Sequence, residues 1–224
     1  MTYTVFMQRQ DPYSHDLLFE VLDENRDVIA EIKKDKKNNT YLYYKDAVYK
    51  FPFSIKSVDA AIFPFEYPIS SNRNSRLGLY VLKNNTIIAE YYGEVAIVEK
   101  RKIFSKKISF EVYKYNSNAY YMIKVGLPKK ASHFYCLFDA TTKQTVGIIE
   151  RLQANPEEAR SKIYLLNNEY IELMLILLSS ETVMNVTANN EGQIIDPSAG
   201  KYISTREEEI KFYDKDFVEL AKRK

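Results

Sequence analysis

One stretch restricts this chain more than any other. Residues 168–178 read Asn-Glu-Tyr-Ile-Glu-Leu-Met-Leu-Ile-Leu-Leu, a capping Asn followed by strong helix formers. The apolar residues do not keep to one stripe, and a helix that is hydrophobic nearly all round has to be buried on all sides. Glu172, and then Ser179-Ser180-Glu181, interrupt the run far short of the roughly 20 residues a membrane span needs. The expected solution is a helix over residues 169–186 enclosed by the rest of the chain.

The rest of the chain reads as strands. Tyr and Phe number 19 and 12, with no Trp, and at that density, alongside Ile and Val, they favour β structure. Three segments share one pattern: an apolar run, a polar turn and a second apolar run. They are Leu18–Ile32, Leu79–Tyr91 and Phe134–Ile149, each the signature of a β-hairpin. Aligned on Ile29, Ile88 and Val146 they lie 59 and 58 residues apart, and the next position is always small: Ala30, Ala89, Gly147. A small residue recurring in a half-buried strand marks close approach by something on that face. Strict alternation puts Val28, Ala30 and Ile32 on that face, and Ile87, Ala89 and Tyr91 on the matching one.

Thr40–Tyr44 with Ala47–Phe51, and Ile108–Tyr113 with Tyr120–Val125, read as two more hairpins, and Thr4–Met7, Glu94–Val98 and Ile163–Leu166 as further strands. Roughly a dozen short strands with short turns argue for an antiparallel barrel or sandwich. The polar segment Ser70–Arg76 reads as a loop. After residue 187 the composition changes: Ala188–Lys201 carries Asn, Gly, Pro and Ser and reads as a loop, and Thr205-Arg206-Glu207-Glu208 forms a capping box that opens a polar helix, the tail reading as a surface helix or a pair of short helices with frayed ends. The expected organisation is therefore a β-barrel with a central helix over residues 1–187, and a loop plus C-terminal helical extension over 188–224.

These hairpins, together with the apolar helix Tyr170–Leu178, resemble the tubby C-terminal-like superfamily, which includes the tubby, phospholipid scramblase and LURP-one-related families. The resemblance covers roughly residues 3–187. It implies a closed antiparallel barrel of about twelve strands around a central hydrophobic helix. The chain departs from that pattern by continuing some 35 residues past the helix.

Catalytic signatures are missing from the sequence: there is no Gly-rich phosphate loop, G-x-S-x-G, H-E-x-x-H or C-x-x-C. His133 and Cys136 are spaced so that a strand points them to opposite faces, which disfavours a nucleophile pair. Cys136, between Tyr135 and Leu137, reads as a small buried hydrophobe. Glu157-Glu158 and Asp214 with Asp216 read as solvated or capping carboxylates. No EF-hand loop is present, and two histidines with one cysteine leave little for a metal site. No cofactor and no metal are expected.

What remains is charge. The net charge of +2 gives little drive toward nucleic acid. Lys100, Arg101, Lys102, Lys106 and Lys107 flank Ile103-Phe104, a basic stretch with an aromatic centre of the kind that docks on anionic headgroups while Phe104 inserts. Lys33-Lys34-Asp35-Lys36-Lys37 follows the first hairpin and reads as an addition to that patch; the alternative for both clusters is a solvated turn whose lysines protect strand edges or keep the hairpins soluble. Met1–Gln10 has no apolar core of a secretory signal. The sequence thus points to a non-enzymatic tubby-like binding module, cytoplasmic or peripheral at the membrane, with anionic phospholipid or a protein as partner. The alternative is a structural or interaction protein acting through its C-terminal extension, Ile203–Lys224.

Overall fold

The computed structural model describes residues 1–9, 17–35, 39–51, 56–59, 75–99, 106–128, 132–152, 161–180, 187–188, 194–195 and 207–224. The chain opens with strands β1 (Thr2–Arg9), β2 (Leu17–Leu22), β3 (Val28–Lys34), β4 (Thr40–Tyr44) and β5 (Ala47–Phe51). Next come β6 (Lys56–Asp59), β7 (Ser75–Lys83), β8 (Thr86–Glu99), β9 (Lys106–Tyr115) and β10 (Asn118–Gly126). Strands β11 (His133–Asp139), β12 (Thr145–Arg151) and β13 (Ser161–Tyr164) complete the wall. All ladders are antiparallel, in the order β5-β4-β3-β2-β1-β13-β12-β11-β10-β9-β8-β7, and β5 pairs back with β7 to close a twelve-stranded barrel. β6 runs along the first half of β7. The closing seam is short, with Tyr49 opposite Lys83 and Lys50 opposite Leu82.

The three similar hairpins share more than sequence. Each has one irregularity in its ladder, and it falls at the same point. Val21 faces Ala30 and Leu22 then faces Val28; Val81 faces Ala89 and Leu82 then faces Ile87; Leu137 faces Gly147 and Phe138 then faces Thr145. The extra residue of each β-bulge is Ile29, Ile88 or Val146, the three residues on which the sequences align. A bulge changes the face presented by everything beyond it. That corrects the simple alternation expected from sequence: Ala30, Ile32, Ala89 and Tyr91 are buried, whereas Val28 and Ile87 are exposed.

The small residues have a cause inside the barrel. Helix α1 (Ile171–Leu178) follows a single 3-10 turn over Asn168–Tyr170, and every residue of α1 except Glu172 is buried. A Cβ placed on Gly147 would stand 2.5 Å from Met174 Sδ and 3.1 Å from Leu165 Cδ2. At Gly147 the missing side chain therefore lets the wall approach the helix that fills the lumen. Ala89→Leu is expected to lower stability by about 1–3 kcal/mol through overpacking, measured by denaturant melting. Unchanged stability would mean that the Ala89 position is open.

Several boundaries differ from expectation. The α-helix spans Ile171–Leu178 after the 3-10 turn, and residues 181–186 of the expected 169–186 helix lie outside those described. The capping side chain is Asn167, which accepts from the Glu169 amide, while Asn168 Oδ1 accepts from the Tyr3 hydroxyl. Ser75 and Arg76 belong to β7, and residues 70–74 lie outside those described. The expected domain boundary at 187/188 falls within a two-residue strand, β14 (Thr187–Ala188), paired with β15 (Ile194–Ile195).

The C-terminal segment is the expected pair of short helices, but it does not lie loose on the surface. It forms α2 (Glu207–Ile210) and α3 (Lys215–Arg223), the latter capped by Asp214, whose carboxylate accepts from the Phe217 amide. Phe217, Val218 and Ala221 are buried in a second core on the outside of the barrel. That core includes Phe110, Tyr121, Ile123, Val125, Phe134, Cys136 and Ile148. The Phe134 and Tyr213 rings lie 4.5 Å apart. Strands β10 to β12 are consequently buried on both faces, inward against α1 and outward against the tail.

Candidate functional site

Antiparallel pairing sorts the connections between two ends of the barrel. One end carries the tight turns: Asn84-Asn85 and Asn116-Ser117 take positive φ, which fits the two-residue hairpin loops they make. The other end carries the long connections, where β1, β3, β8, β10 and β12 run out at Arg9, Lys34, Glu99, Gly126 and Arg151. Helix α1 points from the first end toward the second. Glu172 near its start reaches Tyr49 and Lys83, whereas Ser180 beyond its finish meets Tyr113.

At the hairpin end, Glu172 ties the helix to the closing seam. Its carboxylate accepts from the Tyr49 hydroxyl at 2.6 Å and from Lys83 Nζ at 3.0 Å, and Lys83 lies over the Tyr49 ring. These two residues face each other across β5 and β7, so one side chain from the helix bridges the joint that closes the barrel. Burial alone would raise the carboxyl's pKa. Hydrogen bonds from Tyr49, Lys83 and Tyr115, with the Lys83 charge, outweigh it and hold the carboxyl below its ordinary range. Burial, with the bond to Glu172, pushes the Tyr49 hydroxyl up.

A depressed carboxyl contributes stability above its unfolded pKa and loses it as pH falls through the folded one. Glu172→Gln is expected to cost about 1–3 kcal/mol near neutral pH, the range of hydrogen bonds to a charged group. It should also flatten the acid limb of a stability–pH curve below about pH 4.5, near the ordinary carboxyl pKa. Parallel acid limbs in the two proteins would remove Glu172 from the latch.

The other end of the lumen is polar. Alternation from the inward Ala30 and Ile32 carries Lys34 inside, where it is only 4% exposed. Lys34 is thereby corrected on both readings, being neither in a solvated turn nor on an exposed lipid-facing patch; burial lowers its pKa. By the same rule His133, Arg151 and Ser161 share a face with the inner-core residues Tyr135, Ile149 and Ile163. His133 faces Arg151 and Arg151 faces Ser161, which makes one row across β11, β12 and β13. His133 Nε2 lies 3.3 Å from the Tyr135 hydroxyl. Lys124 is 3.4 Å from Glu111 and lies over the Tyr135 ring. Tyr113 donates to Glu111. Ser179 and Ser180 donate to carbonyls of the last helical turn.

Of the basic stretch singled out from sequence, Lys100, Arg101, Lys102 and Phe104 lie outside the described residues. Lys106 and Lys107 begin β9. Glu99 ends β8 opposite Lys106, at the polar end of the barrel. Cys136 is fully buried in the outer core, and burial, followed by the charge of Asp214, raises its pKa. Because His133 faces the lumen, the two do not form a catalytic pair. Among the described residues no group of His, Cys, Asp and Glu is arranged to hold a metal ion. Sequence reading missed Lys34, Arg151 and Ser161 as interior groups; each was marked only by its alternation with apolar neighbours.

Comparison with family models, with curated proteins and with solved structures returns no match.

Proposed function

We propose that this chain is a non-enzymatic binding module of the tubby-like kind that associates with anionic phospholipid headgroups through one end of its barrel. The observation that carries the reading is the shared address of its basic groups. Strand β8 ends at Glu99 and β9 begins at Lys106, with Lys100, Arg101 and Lys102 between them in sequence, at the end where the lumen holds Lys34, Lys124 and Arg151. With α1 filling the middle of the lumen, recognition falls to the barrel's ends and outer surface. Among the described residues no helix is long and apolar enough to cross a membrane, so the association proposed is peripheral.

Each basic residue near an anionic surface contributes up to about 1 kcal/mol, and Phe104 adds an apolar anchor. Purified protein is expected to cosediment with anionic vesicles in preference to zwitterionic ones. Serine at positions 100, 101, 102, 106 and 107 should remove most of that binding while leaving the melting curve intact. Raising salt should weaken binding of the parent, because exposed charges are screened beyond roughly 8 Å at physiological ionic strength. Equal binding to both vesicle types, or none at low salt, would refute the lipid reading.

A further inference from the structure

We propose that the inward row formed by His133, Arg151 and Ser161 is a binding subsite for a single phosphate-type oxyanion, inside the barrel beyond the C-terminal end of α1. The three residues are direct cross-strand neighbours, so their Cβ atoms follow one another at about 5 Å. They are 8%, 5% and 0% exposed. A guanidinium, an imidazole and a hydroxyl in one row offer donors in the number and spread that a tetrahedral oxyanion accepts.

Two further observations point to an anion. The Ser161 hydroxyl is fully buried and makes no hydrogen bond, whereas buried hydroxyls nearly always have a partner. Basic side chains also stand around the row. Among the described residues, Lys34, Lys124 and Arg151 line this end of the lumen, with Glu111, already held by Lys124 and Tyr113, as the carboxylate among them. A Cβ built at Gly93, which faces Glu111 across β8 and β9, would meet nothing within 4 Å. The wall beside Glu111 is thus open at that point.

The chain has two histidines, His15 and His133, so the imidazole NMR signals report on the row directly. Inorganic phosphate, added to the full chain against sodium chloride of equal ionic strength, is expected to shift one imidazole resonance saturably. His15→Gln assigns that resonance to His133. Arg151→Gln should abolish the shift. Ser161→Ala, which removes no existing hydrogen bond and so leaves folding intact, should weaken phosphate binding about tenfold, and it decides the matter if Arg151→Gln does not fold. Phosphatidic acid vesicles separate the two sources of such a group. Weaker cosedimentation of Ser161→Ala would assign the subsite to a lipid headgroup, and undiminished cosedimentation alongside a lost phosphate shift would assign it to a soluble phosphate. No saturable shift in the parent, or the same affinity in parent and Ser161→Ala, would overturn the proposal, whichever way vesicle binding turns out.

Discussion

Leu175→Asp is expected to yield no soluble folded protein. Leu175 is fully buried at the middle of α1, with the inner faces of the barrel around it. Truncating a buried leucine to alanine already costs about 3–5 kcal/mol. Aspartate adds a polar group with no partner in an apolar lumen, and it can enter only by taking up a proton or drawing in water, at several kcal/mol more. Together these reach the whole of a typical domain's stability, about 5–15 kcal/mol. Leu175→Met keeps volume and apolarity and should fold, at a cost below about 1.5 kcal/mol. The pair separates a packing requirement from mere sensitivity of the position. Soluble expression and circular dichroism melting provide the measurement, and an Asp variant that melts like the parent would mean that α1 is not enclosed.

The enclosed helix was legible because no other environment suits eight residues with hardly a polar face. The hairpins were legible too, down to the residues on which they align. What could not be read was that Ile29, Ile88 and Val146 are bulged. A single inserted residue leaves composition untouched yet exchanges inside for outside, which is why Val28 and Ile87 were placed on the buried face and stand exposed. Lys34 was hidden differently: it sits in a run of lysines, where charge suggests solvent, while its spacing from Ala30 and Ile32 sends it into the lumen. The tail was legible as short helices, but its packing was not, because its polar residues outnumber its apolar ones. Its partner surface was nonetheless written in β10 to β12, where Tyr120–Val125, Phe134–Phe138 and Val146–Ile149 do not alternate. Strands apolar on both faces need two covers, and α1 supplies only one.

The second cover makes Cys136 a reporter. Its thiol is fully buried in the outer core with Phe217, and burial and the nearby Asp214 carboxylate both disfavour the reactive thiolate. In the native protein a thiol reagent should label it only through opening of the tail. Phe217 is 5% exposed, and replacing such a ring with a small side chain costs about 3–5 kcal/mol. If that loss falls on the docking of α3, Phe217→Asp should accelerate labelling of Cys136 about a hundredfold or more, since local opening carries its own free energy. The far-UV circular dichroism should remain that of a β-barrel, because α1 and the inner core are untouched. Removing residues 207–224 should go further, leaving Val125, Phe134 and Ile148 bare and the protein prone to aggregate. The same pair of proteins tests the reading in which the C-terminal extension joins copies or partners. A parent whose sedimentation mass exceeds one chain and falls to one chain in Phe217→Asp would favour that reading. A monomeric parent with fast labelling in the variant would assign the helix to its own barrel. Unchanged labelling in Phe217→Asp would mean that α3 does not cover Cys136.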